Sequence, residues 1–347
     1  MAKGIRLTSD RRIRSGKFRL YLKDRLPRNL NEGDYQAILR ESLVALAWAI
    51  AEGRGLQAPA PDLAARELAS VVAPEQLGEL YEEALGVWPC LDSGSFEWIS
   101  QKAGRRGNGI YYTPAELVEP LVRFALPKRR QCLICDPACG SGAFLLAALQ
   151  RLSGAGSTEE VVSACLFGSD TDPTAVELCR WTLYLTAGHF PPEDHIRCAN
   201  SLLLDWSDLF PGPMSAGGFD AVIGNPPFGG VVDGRVPVEV RAVRESMFSE
   251  LGGTSDLSYY FLARALKSVN RHGRVAMVLP RTFLSAPSAE AVRNAPGFRL
   301  SMVTPLARHD SFQGASVHVC LVGYSHTSRG GRGRSRGSQS LPPNENA

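Results

Sequence analysis

From residue 132 to residue 324 the chain repeats one pattern, a short apolar run followed by a helical stretch or a polar turn. "CLIC" (132–135), "ACLFGSD" (164–170), "HIRCA" (195–199), "FDAVIG" (219–224) and "GRVAMVLP" (273–280) read as strands, and apolar residues at helical spacing fill 143–152, 173–187 and 256–270. Strands separated by helices return to the sheet by crossovers, which run them parallel. The expected architecture is therefore α/β, a doubly wound and mostly parallel sheet. The last two runs, "LSMVTPL" and "SVHVCLVGY", have no helix of any length between them. They are predicted to pair as an antiparallel hairpin at one edge.

The ends of the chain differ from this middle. Residues 1–30 hold ten Lys or Arg against Asp10 and Asp24, and residues 326–347 hold four Arg against Glu345. With a net charge of +3 overall, the part between them carries −8. Basic ends on an acidic middle fit arms that touch a polyanion and release its counterions. The N-terminal arm is expected to order only against a partner, with Arg11, Arg12 and Arg14 as its probes. Residues 31–107 read as a small helical region, with "YQAILRESLVALAWAIAEGRG", "PDLAARELASVV" and "PEQLGELYEEALGVW" at helical spacing. Residues 326–347, rich in Gly, Arg, Ser and Pro, cannot bury a core and are expected to be disordered. No apolar run approaches the roughly 18 residues needed to span a bilayer. Eight cysteines in such a chain point to reduced thiols. A soluble cytoplasmic protein is expected. Cys132 and Cys135 have CxxC spacing and Cys139 follows, but no histidine or second CxxC lies nearby, so buried thiols rather than a metal site are expected.

Three of the strand ends carry chemistry. "CDPACGSGAF" (135–144) follows one strand and opens a helix; its glycines, Gly140 and Gly142, let backbone amides approach a ligand, and Asp136 ends the strand where a carboxylate can meet a polar or cationic group. No third glycine completes the dinucleotide fingerprint, which counts against a nicotinamide-dependent oxidoreductase. "GSDTDP" (168–173) ends the next strand. Asp170 is placed to accept hydrogen bonds from a ribose diol, and Asp172 to cap the helix beyond Pro173.

"DAVIGNPPFGG" (220–230) then ends a buried strand with an amide, two prolines and a ring. A plain turn uses Asn and Pro too. After two cofactor turns, however, the tetrad Asn225, Pro226, Pro227 and Phe228 reads as a catalytic site beyond the carboxyl end of a strand. The Asn225 oxygen and the Pro226 carbonyl can accept both hydrogens of an exocyclic amine. Phe228 offers a face on which an aromatic base stacks.

In this order "YYTP", "DPACGSGAF", "GSDTDP" and "NPPF" resemble the motifs of N6-adenine DNA methyltransferases of restriction-modification systems, over about residues 108–325. The resemblance implies a Rossmann-like class I methyltransferase whose final strand runs antiparallel, with S-adenosylmethionine as cofactor, double-stranded DNA as substrate and a flipped adenine as acceptor. It also implies roles by position. Thr113 meets the methionine end of the cofactor, and Asp136, Ala138, Gly140 and Gly142 line its pocket. Asp170 holds the ribose, and Asn200 stands where the family usually has an acid for the cofactor adenine. Phe312 is placed as a second aromatic against the flipped base. The loop from Gly229 to Ser255, with Arg235, Arg241 and Arg244, is a candidate for closing over DNA. A target-recognition domain is not evident after residue 325, so a separate recognition or restriction subunit is expected as partner. Three alternatives stand beside this reading. The same fold and NPP[YF] tetrad also serve enzymes acting on a guanine amine in RNA or a glutamine amide in protein; a non-catalytic cofactor-binding subunit is the second, and a nicotinamide-dependent oxidoreductase the third.

Overall fold

A computed structural model describes residues 14–27, 30–92, 95–100, 113–126, 132–153, 157–229, 248, 251, 255–306 and 318–327. In chain order the N-terminal part holds helices α1 (residues 14–23), α2 (Glu32–Gly53), α3 (Leu63–Ala69) and α4 (Leu77–Leu85), then strands β1 (Val87–Asp92) and β2 (Ser95–Ser100). There follow α5 (Ala115–Ala125), β3 (Ile134–Asp136), α6 (Ala143–Ser153), α7 (Thr158–Ala164), β4 (Leu166–Asp170) and α8 (Pro173–Ala187). The rest is β5 (Ile196–Cys198), α9 (Trp206–Leu209), α10 (Pro211–Ser215), β6 (Phe219–Gly224), α11 (Leu257–Ser268), β7 (Val269–Pro280), α12 (Glu290–Arg293), β8 (Phe298–Pro305) and β9 (Val319–His326).

Seven strands form one sheet in the order β5-β4-β3-β6-β7-β9-β8. The first five are mutually parallel, and β9 runs antiparallel to both of its neighbours. The expected hairpin of the last two runs is present. Its antiparallel member is not the edge strand, however, because β9 inserts between β7 and β8. The burial pattern explains the placement: β9 is buried along its first six residues, whereas β8 alternates and is open over its last three.

Each strand feeds two cores by its period of two. Ile223, Ala276, Val278 and Leu321 join the layer of α5, α6 and α8, while Val222, Val275, Met277 and Val322 join the layer of α9 and α11. Cys132 and Cys135, three residues apart, consequently lie in opposite layers. Among the described residues, no three His, Cys, Asp or Glu are grouped to hold a metal ion, and no helix is long and apolar enough to cross a membrane.

A third core belongs to the N-terminal helices, and Ala175, Leu178, Tyr184 and Leu185 on the outer side of α8 complete it. Two expectations change here. Residues 14–23, placed by their charge in an arm without its own order, are helical and bury Phe18, Tyr21 and Leu22 in this core. One apolar face thus outweighs the basic character of the segment. The helical pattern also stops at Gly86, and β1 and β2 pair antiparallel with Val87 opposite Ser100. Residues 1–13 and the tail from 328 lie outside the described residues.

Candidate active site

Strand order reverses between β3 and β6, since the chain builds outward from β3 through β4 to β5 and then returns to place β6 on the other side. Crevices at such reversals are where open α/β sheets bind ligands. The carboxyl ends of β3, β4 and β6 bring Asp136, Asp170 and Asn225 to this crevice.

Asp136 closes β3 and is 1% exposed. Its Oδ1 accepts from the Ala138 amide at 3.1 Å, and its Oδ2 is buried without a partner among the described residues. Burial pushes its carboxyl up to about 8; the Ala138 amide opposes the rise and the charge of Asp170 adds to it. Gly224, the last residue of β6, lies against it so closely that a β-carbon there would sit 2.5 Å from Asp136 Oδ1. The absence of a side chain at 224 is what lets the two strand ends meet.

The turn after Asp136 is held from β4. Gly140, at φ 50°, donates its amide to Asp170 Oδ2 at 2.9 Å, and Asp170 Oδ1 accepts from the Asp172 amide at 3.0 Å. Gly142, at φ 94°, donates to the Cys139 carbonyl, and a β-carbon there would lie 2.8 Å from Cys179 Sγ. The amides of Gly140 and Gly142 are thus engaged within the protein, and the two glycines supply left-handed backbone and close packing to the turn. Each Asp170 oxygen retains a lone pair beyond these bonds, and burial raises its carboxyl against the pull of the amides. Asp172 caps α8 as the sequence indicates, accepting from the amides of Thr174 and Ala175.

Asn225 extends from β6, and its Nδ2 donates to Thr113 Oγ1 at 3.1 Å. Thr113 is 7% exposed, just before α5. Asn225 Oδ1 is buried with no partner among the described residues. An unpartnered buried acceptor at a strand end is costly, by about 1–3 kcal/mol, unless a ligand satisfies it. Pro226 is buried, and Phe228 is half-buried against the core that contains Ile223. Beyond it, Gly229 donates its amide to Asp256 Oδ2 at 2.7 Å, and Asp256 Oδ1 caps α11 through Ser258.

Of the residues singled out by sequence, Thr113 meets Asn225, and Asp170 meets Gly140; Asp136 meets the Ala138 amide and Gly224 beside Asn225. Asn200 stands apart from these contacts and spends one lone pair of Oδ1 on the Leu202 amide at 3.1 Å. Phe312 and the arginines at 235, 241 and 244 lie outside the described residues. Gly224 and Asp256 were not singled out, although Asp256 carries a readable signal as an Asp directly before a helical run.

Comparison with known proteins gives the same direction. The model of the N-6 DNA Methylase family matches residues 93–295, more than half of the chain. The type II methyltransferase M.VspI of Vibrio sp. (strain 343) is 25% identical over 227 residues, covering 65% of this chain and 46% of that protein. The methylase subunit of the type I restriction enzyme MjaIX of Methanocaldococcus jannaschii is 32% identical over 152 residues, covering 44% and 22%. The chain thus spans from about a fifth to about a half of the length of the curated relatives it matches. Among solved structures, a modification subunit assigned to a type I restriction enzyme of Vibrio vulnificus YJ016 superposes with a TM-score of 0.59. It covers 90% of this chain and 81% of that one at 18% identity, which shows a shared fold. The chain shares its fold with that modification subunit, and it belongs to the N-6 DNA methylase family.

Proposed function

We propose that this chain transfers a methyl group from S-adenosylmethionine to the N6 amine of an adenine flipped out of double-stranded DNA. The observation that carries the reading is the buried Oδ1 of Asn225 at the end of β6, without a partner among the described residues, with its amide nitrogen tied to Thr113.

The crevice fits such a cofactor. Asp136 offers a buried carboxyl oxygen without a partner among the described residues, which suits the cationic methionine end, and Asp170 offers lone pairs to a ribose diol. Thr113, Ala138, Gly140, Gly142 and Asn200 complete the lining on this reading. When bound, the cofactor supplies an electrophilic methyl on a sulfonium. The protein's own task is to present the nucleophile. With Nδ2 held by Thr113, Asn225 Oδ1 accepts one N6 hydrogen and the Pro226 carbonyl accepts the other. Both acceptors draw density to a nitrogen whose lone pair is otherwise delocalised into the ring. Pro227 restricts the backbone, and Phe228 stacks on the base, offsetting part of the few kcal/mol of unstacking. Orientation of the nitrogen toward the methyl supplies most of the rest. With the donor in place, the N–C bond would form as the donor's S–C bond breaks, and the methylated nitrogen would release its extra proton to solvent.

On this reading residues 108–325 are the catalytic unit, and target recognition resides in a separate subunit. Relatives that are named methylase subunits of type I restriction enzymes support that arrangement.

The test is nucleoside mass spectrometry on DNA from a host lacking 6-methyladenine, expressing the chain or Asn225→Ala, with and without its genomic neighbours. Methyladenine that disappears with Asn225→Ala is the expected result, and dependence on a neighbour would locate recognition. Soluble, cofactor-binding protein that leaves DNA unmodified in every combination would overturn the DNA reading in favour of an RNA or protein acceptor.

A further inference from the structure

Helix α4 belongs to the N-terminal helices, yet it touches both turns of the cofactor crevice. Gly78 lies so near the Gly140–Gly142 turn that a β-carbon on it would sit 1.9 Å from Ser141 Oγ and 2.6 Å from Ser141 Cβ. Three residues on, and therefore on the same face of the helix, Tyr81 donates its hydroxyl to Asp172 Oδ2. Tyr81 is 3% exposed, and burial together with Asp172 pushes its phenol well up, so the group stays a donor.

The Asp172 contact continues inward. The Asp172 amide donates to Asp170 Oδ1, and Asp170 Oδ2 accepts from Gly140. A hydrogen-bonded path thus runs from Tyr81 through Asp172 and Asp170 to the Gly140–Gly142 turn, and the Gly78–Ser141 contact meets that turn from outside. A glycine within a short helix is unfavourable by itself, which makes the close approach the physical reason for it.

We propose that Gly78 and Tyr81 are positioning residues for the S-adenosylmethionine site. They act through Ser141 and Asp172 to set the spacing between the glycine turn and the ribose carboxylate of Asp170. The inference rests on the cofactor reading given above. It makes the N-terminal helices a structural part of the cofactor pocket rather than an appendage to it.

The experiment is calorimetric titration of the full chain with S-adenosylmethionine and with S-adenosylhomocysteine, which binds without reacting. The variants are Gly78→Ala, Ser141→Gly, their combination, and Tyr81→Phe, each also melted without ligand. Gly78→Ala should weaken binding about tenfold or more, since the added methyl overlaps the turn. Adding Ser141→Gly removes the atoms it meets and should restore affinity to that of Ser141→Gly alone. Tyr81→Phe should weaken binding about three- to tenfold by deleting one hydrogen bond to a charged group, with its ring packing kept. Unchanged affinity in both Gly78→Ala and Tyr81→Phe overturns the inference. So does a loss in Gly78→Ala that Ser141→Gly does not recover, because a general weakening of α4 has no reason to respond to residue 141. Failure of the unaltered chain to bind either ligand overturns the cofactor reading and takes the inference with it.

Discussion

Asn225 and Thr113, 112 residues apart, are joined by a 3.1 Å hydrogen bond in which the amide nitrogen donates to the hydroxyl. With Nδ2 committed to Thr113, the acceptor Oδ1 has no partner among the described residues, and on the proposed reading it is left to the substrate amine. Thr113→Val keeps shape but removes the acceptor. Turnover is expected to fall by roughly ten- to a hundredfold, the scale of a misplaced transition-state contact. Thr113→Ser should restore most of it. Single-turnover methylation rates, with cofactor affinity measured alongside, separate this role from simple cofactor binding.

Asp136 makes the folded chain sensitive to pH. Its carboxyl rises from an ordinary 3.8 to about 8 on folding. Between those values the native state holds a proton that the unfolded chain has released. The stability tied to this group is therefore full below about pH 4 and is lost as the pH rises toward 8. Asp136→Asn should flatten the fall in urea-unfolding stability between about pH 5 and about pH 8. A cation bound beside Oδ2 favours the ionised form, so cofactor affinity should rise with pH over the same window. Titrations in buffers of different ionisation enthalpy would report the released proton.

Asp256 ties Gly229, the residue after the proposed catalytic tetrad, to the start of α11. It accepts from the Gly229 amide with one oxygen and from the Ser258 amide and hydroxyl with the other. Asp256→Ala removes a helix cap, at about 1 kcal/mol, and frees the chain after Phe228. The expected outcome is a small loss of stability with a larger rise in KM for DNA, while cofactor affinity stays as it was. Asp256→Asn retains a side-chain oxygen for the cap and should lose less. Steady-state kinetics with thermal melting would check both.

The order found in α1 changes where DNA contact should be sought. Arg14 lies 4.0 Å from Glu79, with both side chains mostly buried, so reversing its charge would disturb packing as well as any contact with phosphate. Lys17 and Lys23 are exposed on the same helix. Lys17→Gln with Lys23→Gln should lower the slope of log affinity against log salt by about two if both meet phosphates. Binding measured from low to moderate salt gives the slope, and an unchanged value removes this helix from the interface.

Local patterns carried the elements whose character is set by near neighbours. The run Phe219–Gly224 is a strand as written, Pro173–Ala187 is a helix capped by Asp172, and Asn225 stands at a strand end where its motif placed it. Alternation of strand and helix also implied parallel crossovers, because chain connectivity leaves few other arrangements. Tertiary structure decided what depends on residues far apart in sequence. The insertion of β9 between β7 and β8, the capture of the Gly140 amide by Asp170, the burial of Phe18 and Leu22, and the meeting of Gly78 with Ser141 all join such residues. A sequence window records the preferences of a segment, whereas these contacts follow from which surfaces exclude water together once the whole chain has packed.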